Sequence, residues 1–420
     1  MTYAIFLFVL LIALLALRVN LVAVLMVLGA YIHLVWGDGV LTYIIEDMWI
    51  AIDKELLLAI PMFLLCGAVM GRGEIAKRLI DIMKALTSPL PGGLAIASIL
   101  TCGVFAAMSG SSAVTLIAVG SIAYPALLQS GYSKPFSLGA LAAGGTLGVI
   151  IPPSIPMILY GIVTETSIID LFTAGILPGL LMVSLLSGYA LIANRNIERA
   201  PFDIDAVMHA LRRGIWSLLM PIILLGGIYS GYFSPTESAA VALGYAVFIE
   251  AFVHRELTFA DLRDTAIETT ILMGSLFPLL AIALSINLVL TAEQVPVALA
   301  EWVSSVATSK VAFILAMNAV LLLVGMVMDM ASAILVLSPI LLALGRAYGI
   351  DPVHLGIMIT VNLEIGLLTP PVGINLVVAM TAFRENFGLI VKGVLPFIGI
   401  MLIGLLIISF VPELSLALVR

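Results

Sequence analysis

The chain has 420 residues, of which 62% are hydrophobic and 10% charged, and its mean hydropathy of +1.24 means more apolar surface than a water-soluble core can take up. That excludes a soluble enzyme or binding domain and places residues 1–420 in a lipid bilayer as one integral membrane domain, because apolar runs of about 17 to 25 residues, each able to cross about 30 Å of hydrocarbon, follow one another throughout. The net charge of −7 is dispersed over loops, and no basic patch interleaved with aromatics points to nucleic acid.

The first apolar run, Tyr3–Leu17, lacks a basic segment before it and a small-x-small cleavage site after it, and Arg18 follows it. It reads as a retained span rather than a signal peptide. Full spans are expected near 3–17, 20–36, 55–71, 136–164, 171–193, 214–231, 235–253, 266–291, 352–382 and 386–410. Between early spans lie two amphipathic segments. In 38–53, Leu41, Ile44, Ile45, Met48, Trp49 and Ile52 share one helical face, and in 72–87 Ile75, Leu79, Ile82, Met83 and Leu86 do the same. Such helices suit the membrane interface, as braces for a moving part or as surface connectors with one side on lipid. Cys66 and Cys102 fall inside apolar runs and read as packing residues, not a disulfide or a metal site.

Two further apolar stretches, 90–128 and 309–346, are too polar at their centres for simple spans, carrying Ser109-Gly110-Ser111-Ser112 and Asp329-Met330-Ala331-Ser332. Backbone polar groups at membrane depth are tolerated only where protein or water satisfies them, so these stretches are expected to be re-entrant hairpins whose tips line a cavity.

A duplication organises the whole. Gly131, Gly148, Pro152-Pro153, Gly175 and Pro178 recur as Gly349, Gly366, Pro370-Pro371, Gly393 and Pro396, always 218 residues later (370 − 152 = 218). The repeat halves run from about 55–193 and 266–410, and in each a Pro-Pro element breaks a membrane-length helix. The connections holding Arg18, Arg72 to Lys84, Lys134, Arg195 to Arg213, and Arg255 with Arg263 are basic, whereas those holding Glu46 to Glu55, Glu165 with Asp170, and Glu293 with Glu301 are mostly acidic. With the basic set in the cytoplasm the first hairpin enters from the cytoplasm and the second from the opposite side. Lys310, Arg346 and Arg384 fit this scheme less well. The expected fold is an all-α integral membrane protein with an inverted repeat, two re-entrant hairpins and two broken helices, the arrangement of a secondary transporter.

Chemistry concentrates at the breaks. The hydroxyls of Ser109, Ser111 and Ser112 sit at half-helix ends, where free N–H groups favour an anion and free carbonyls a cation such as sodium; small polar residues also serve plain helix packing. Opposite them stands Gly144-Gly145-Thr146-Leu147-Gly148-Val149-Ile150-Ile151-Pro152-Pro153-Ser154, whose prolines free carbonyls and whose glycines allow close approach. In the second half Asp329, Ala331 and Ser332 face Gly366 through Asn375, and Asp329 corresponds to Ser111 (329 − 218 = 111). Ion coordination and capping of the tip are equally open for Asp329. Glu364 is either a proton site or part of an interhelical hydrogen-bond network. No Walker loop is present. Ser109-Gly110 invites an intramembrane serine hydrolase, but there is no Gly-x-Ser-x-Gly elbow, and His33, His209, His254 and His354 fall near span ends or loops. No His, Cys and carboxylate cluster has metal spacing.

Ser109 to Ser112, Gly145 to Gly148 with Pro152-Pro153-Ser154, Phe172-x-x-Gly175-x-x-Pro178-Gly179, Gly349 to Pro352 and Asn362 through Gly373 together closely resemble the large membrane subunit of tripartite ATP-independent periplasmic (TRAP) transporters, over essentially the whole chain. The resemblance implies an elevator-type carrier of the ion-transporter superfamily in the bacterial inner membrane. It implies sodium-coupled import of an organic acid anion, such as a C4-dicarboxylate, sialic acid or a related carboxylate. Its partners would be a soluble periplasmic substrate-binding protein and a small four-helix membrane subunit, which is not fused here. By motif, sodium would be held around Ser109, Gly110, Ser112, Gly145, Gly148 and Pro152, and around Met328, Asp329, Ala331, Ser332, Gly366, Thr369, Pro371 and Gly373; substrate contacts would come from Ser109, Ser111, Ser112, Thr146, Ser154 and Asn375. The alternatives are a self-sufficient sodium/dicarboxylate symporter of the same superfamily, more remotely the intramembrane hydrolase, and a non-transporting scaffold subunit, which has no need of matched broken helices.

Overall fold

Proline, glycine and capping side chains decide where the helices of this chain start and stop. The computed structural model describes residues 6–7, 9–10, 13–14, 17, 19, 21–37, 39–40, 42–197, 199–295, 298, 301 and 309–420; most of the expected span near 3–17, together with Arg18 and Leu41, lies outside them. In chain order the helices are α1 (Leu21–Trp36), α2 (Thr42–Ile52), α3 (Ala59–Arg72), α4 (Ile75–Thr87), α5 (Gly93–Ser109), α6 (Ser112–Gln129), α7 (Lys134–Thr146), α8 (Ile155–Thr164) and α9 (Ile168–Ala193). They continue as α10 (Ile204–Tyr229), α11 (Pro235–Phe248), α12 (Phe259–Ala292), α13 (Lys310–Gly325), α14 (Met330–Ala347), α15 (Pro352–Leu367), α16 (Ile374–Phe383), α17 (Phe387–Phe410) and α18 (Glu413–Leu416). Among the described residues there is no strand, and eight helical segments among them are long and apolar enough to cross a membrane. Cys66 and Cys102 are buried and unpaired, as expected of packing residues.

Both hairpins form where the sequence places them, α5–α6 and α13–α14. The expected spans 136–164 and 352–382 are each split, into α7 and α8 and into α15 and α16. Gly131 and Gly349 both take positive φ at the turns that follow the hairpins, a conformation glycine adopts without steric cost. Some boundaries move. Helix α10 starts at Ile204, capped by Asp203, ten residues before the expected 214 (214 − 204 = 10), because its polar first turns carry Arg212 and Arg213 and depress local hydropathy. Helix α12 runs back to Phe259 behind a capping box of Thr258 and Asp261.

The two halves interleave. Each hairpin packs both its arms on the pre-break helix of its own half: α5 and α6 on α7, α13 and α14 on α15. Its second arm then crosses to the post-break helix of the other half, α6 onto α16 and α14 onto α8. Since 112 + 218 = 330 and 155 + 218 = 373, the two crossings are equivalent, the signature of a pseudo-two-fold relation. Tyr124 and Lys134 both reach the Glu385 carboxylate, at 2.9 and 2.7 Å, and fasten the end of α6 to the loop after α16; the Lys134 ammonium beside Glu385 holds its carboxyl below the usual carboxylate range.

The amphipathic segments separate in character. Helix α4 buries Ile75, Leu79 and Ile82 as the pattern requires, but between α5 and α10 rather than on lipid; Met83 is half-buried and Leu86 exposed. Helix α2 buries Ile44 and Ala51 and leaves Ile45 71% and Trp49 68% exposed, an apolar side open to lipid as the interfacial reading expects. Its polar side is held to the protein: Asp47 accepts a hydrogen bond from Ser285 at 3.3 Å and meets the buried His33 ring at 3.3 Å.

Candidate functional site

The two breaks are built alike. In the first, a single 3₁₀ turn, Leu147–Val149, follows α7, and Ser154 precedes α8. In the second, Gly373 precedes α16. The bonds Pro152-Pro153 and Pro370-Pro371 are both cis. Proline has no N–H, so the Gly148 and Leu367 carbonyls, one turn before Pro152 and Pro371, lose their helical donors. Ser154 closes part of the first gap: its hydroxyl donates to the Val149 carbonyl and accepts the Met157 N–H at 3.3 Å, capping α8.

Each tip docks on a break through its backbone. The Ile155 N–H donates to the Gly110 carbonyl (3.5 Å), and the Gly373 N–H, 218 positions later (373 − 155 = 218), donates to the Met326 carbonyl (3.2 Å). The approach depends on two equivalent glycines. A Cβ on Gly148 would lie 2.7 Å from the Ser111 carbonyl oxygen, and one on Gly366 would lie 2.6 Å from the Gly325 Cα. Gly145 meets Leu116 of α6 in the same way, at 2.8 Å.

The tip side chains are not equivalent. Ser109, fully buried, bonds Thr115 at 2.8 Å, and Thr115 donates to the Ser111 carbonyl at 2.9 Å. Ser111 is half-buried and provides no side-chain cap. Ser112 crosses between the halves, its hydroxyl donating to Asn375 Oδ1 at 3.1 Å, and the buried Asn375 Nδ2 has no partner. At the equivalent crossing stand Met330 (112 + 218 = 330) and Met157 (375 − 218 = 157). One seam is therefore polar, with an amide donor to spare, and the matching positions of the other are methionines.

At the second tip Asp329 is the N-cap of α14: one carboxylate oxygen accepts the Ser332 N–H at 2.9 Å and the other the Ser332 hydroxyl. Of the two roles open from sequence, the geometry displays the cap. Met328 and Ala331 flank it half-buried and Ser332 is buried. A cavity of about 460 Å³ lies between this tip and the middle of α12, with Asp329, Ser275 and Pro278 on its wall. Thr369 is turned inward to the Ile365 carbonyl, 2.8 Å away, and Pro371 is exposed. Replacing Asp329 by alanine removes the cap and is expected to lower stability by about 1 kcal/mol, whereas Asp329→Asn, still a good N-cap, retains most of it. Thermal unfolding in detergent decides: equal losses for the two variants would make the charge, not the cap, the contribution that matters.

Thr146 does not reach the Ser112–Asn375 seam by any hydrogen bond; its hydroxyl donates to the Ala143 carbonyl at 2.7 Å and it lies beside the carboxyl of Glu364. Glu364 is fully buried and neither of its oxygens has a hydrogen-bond partner. Its neighbour Asn362 forms an interhelical network, its Nδ2 reaching the Asn318 side chain at 2.9 Å and Asn318 in turn donating to Ser409 at 3.1 Å.

Sequence reasoning missed two buried polar clusters. His33 joins Asp47 and Ser285, and Glu250 on the π-helical turn Ile249–His254 joins His254. His33, His254 and His354 do lie near span ends, yet their side chains are buried. The first cluster has the residue types of a hydrolytic triad without its wiring: Ser285 and Asp47 both approach His33 Nε2, and Nδ1 faces the Gly29 carbonyl at 2.8 Å, so no base is relayed through the ring to a serine. Ser109, the hydrolase candidate, bonds only Thr115.

The same architecture is found in known proteins. The YdaH transporter of Alcanivorax borkumensis superposes with a TM-score of 0.67 at 14% identity, over 92% of this chain and 91% of that one, which shows a common fold. The C4-dicarboxylate TRAP transporter large permease protein DctM of Pseudomonas aeruginosa is 43% identical over 370 residues, 87% of this chain and 86% of its own. The ectoine TRAP transporter large permease protein TeaC of Halomonas elongata is 35% identical over 384 residues, 90% of each chain. The family model for the DctM component of tripartite ATP-independent periplasmic transporters matches residues 8–414. With a match of that extent the chain belongs to the DctM family of TRAP transporter large permeases, transport proteins rather than enzymes.

Proposed function

We propose that this large permease is a sodium-coupled secondary active importer of organic acid anions in the bacterial inner membrane. It would receive its substrate from a periplasmic binding protein, work beside a small four-helix membrane subunit and carry the paired tips and breaks across the bilayer as one moving unit. The observation that carries the reading is the polar seam: Ser112 and Asn375 join the two halves at 3.1 Å and leave the Asn375 amide N–H group buried and unpartnered. An unpaired buried donor costs about 1–3 kcal/mol, and a carboxylate oxygen is the acceptor that would relieve it. The start of α16, beyond the Gly373 N–H that holds the Met326 carbonyl, supplies further N–H groups and a positive dipole end for an anion. The Gly148 and Leu367 carbonyls, left without proline donors, are neutral hard oxygens suited to sodium. Anion and cation sites are thus supplied by one pair of breaks, which supports symport. The name of the Pseudomonas aeruginosa relative favours a C4-dicarboxylate within the carboxylate class.

Uptake into proteoliposomes tests this. With the small subunit and binding protein present and an inward sodium gradient imposed, uptake of the carboxylate is expected to collapse to background when sodium is replaced by potassium or choline. Uptake at full rate without sodium would overturn the reading, and sodium-driven uptake independent of the binding protein would instead identify a self-sufficient symporter.

A further inference from the structure

On α15 and at the end of α7 lie buried oxygen-bearing side chains whose hydrogen-bonding does not close. Glu364 and Thr360 stand one turn apart on the same face of α15, a helix buried along its middle. Both residues are fully buried, and the two carboxyl oxygens and the Thr360 hydroxyl have no hydrogen-bond partner. A buried threonine in a helix ordinarily donates to the carbonyl one turn back, as Thr146, Thr164, Thr265 and Thr369 do here; Thr360 does not. The third member, Thr146, ends α7 beside the Glu364 carboxyl. Its only proton is committed to the Ala143 carbonyl at 2.7 Å, so the oxygen it turns to Glu364 presents lone pairs alone.

A buried carboxylate without a counter-charge costs several kcal/mol, and no Lys, Arg or His among the described residues pairs with this one. A single proton would serve one carboxyl oxygen and leave the Thr360 hydroxyl unmatched. A small hard cation, which binds several oxygens at once, matches the whole set.

We propose that Glu364, Thr360 and Thr146 form a sodium site of their own, set behind the first break and separate from any ion held at the hairpin tips. The carboxylate supplies the charge and the two hydroxyls supply neutral oxygens, while the Leu147–Val149 turn that continues α7 connects the site to the break. The inference rests on the sodium-coupled reading above and adds a carboxylate-bound ion to it. An ion here bridges the pre-break helices of the two halves, α7 and α15, and so stiffens the unit that carries the substrate.

Thermal unfolding of the purified chain in detergent, titrated with sodium chloride against choline chloride at constant ionic strength, reads binding without requiring transport, since a ligand bound only by the folded state stabilises it by RT ln(1 + [L]/Kd). Wild type is expected to be stabilised by sodium. Glu364→Gln, which keeps shape and removes charge, and Thr360→Val, which keeps shape and removes the hydroxyl, are expected to raise the sodium concentration needed for a given stabilisation by at least tenfold and by a few-fold, respectively. Thr265→Val, whose hydroxyl is already satisfied by the Asp261 carbonyl, serves as the control and is expected to leave it unchanged. If wild type and Glu364→Gln respond identically to sodium, the site is refuted while the sodium-coupled reading stands. If wild type shows neither sodium stabilisation nor sodium-driven uptake, both fail. Should Glu364→Gln fail to fold, Thr360→Val alone decides, and an unchanged sodium response in that variant overturns the site.

Discussion

Alanine at Gly148 or at Gly366 is expected to reduce uptake at least tenfold at equal protein. The new methyl at 148 would stand 2.7 Å from the Ser111 carbonyl oxygen, and that at 366 would stand 2.6 Å from the Gly325 Cα. Both opposing atoms are backbone, so no rotamer change relieves the overlap and a hairpin must move away from its break. Overpacking of this kind costs about 1–3 kcal/mol, and the displaced parts are those that hold the Ile155 to Gly110 and Gly373 to Met326 hydrogen bonds. The comparison that isolates the cause uses Gly226 and Gly399, both within long helices and both with nothing within 4 Å of an added Cβ. Alanine there is expected to be neutral or to stabilise by about 0.5–1 kcal/mol through helix propensity. If all four substitutions depress uptake to the same degree, close approach at the breaks is not what the paired glycines provide.

That the two breaks could be found in the sequence follows from how they are encoded. Pro152-Pro153 and Pro370-Pro371 act on their own backbone, and the glycines at 148 and 366 act on the nearest approaching chain, so residue identity and spacing suffice to reveal them. The hairpins were legible for the same reason, since Ser109-Gly110-Ser111-Ser112 and Asp329 interrupt apolar runs locally. The pairing of the second arm of each hairpin with the other half's post-break helix was not. It depends on contacts such as Ser112 to Asn375, 263 positions apart, which leave no periodic trace. Nor was the anchoring of Thr42–Ile52 through Asp47, which Ser285 reaches across 238 positions.

The duplication also sharpens what differs between the halves. Backbone features recur at matched positions, whereas polar side chains do not: Ser112 and Asn375 answer to Met330 and Met157, and the uncapped Ser111 answers to Asp329, which caps its helix. A symmetric backbone lets the two orientations of a carrier have similar energies. An asymmetric set of side chains leaves one polar seam rather than two. The division explains why the repeat is visible through Gly and Pro and nearly invisible through everything else.

Removal of the Glu250 carboxylate is expected to be among the most destabilising single changes in the chain. Glu250 is fully buried and accepts the Glu74 and Ile75 N–H groups at 3.1 and 2.9 Å, while His254 Nδ1 stands 3.1 Å away. It therefore caps α4 from 175 positions away in sequence. The residue that precedes α4, Glu74, provides no cap of its own; its carboxylate is held by Lys77 at 2.8 Å. Gly73 completes the fit, because a Cβ there would lie 2.1 Å from the Glu250 carboxyl carbon. Helix α4 leads into the first hairpin, and this cap ties its start to the π-helical turn that follows α11. Glu250→Ala leaves two buried N–H groups and the His254 ring without their acceptor, at about 1–3 kcal/mol for each unsatisfied donor. A total loss of several kcal/mol is expected, seen as a markedly lower unfolding midpoint in detergent and a poor yield of monodisperse protein. Glu250→Gln keeps one acceptor oxygen and should fall between the two. Gly73→Ala, which displaces the carboxylate without removing it, should resemble Glu250→Ala more than wild type. Unfolding midpoints for Glu250→Ala and Gly73→Ala equal to that of wild type would mean that α4 is held by the packing of Ile75, Leu79 and Ile82 alone, and that the distant cap contributes nothing measurable.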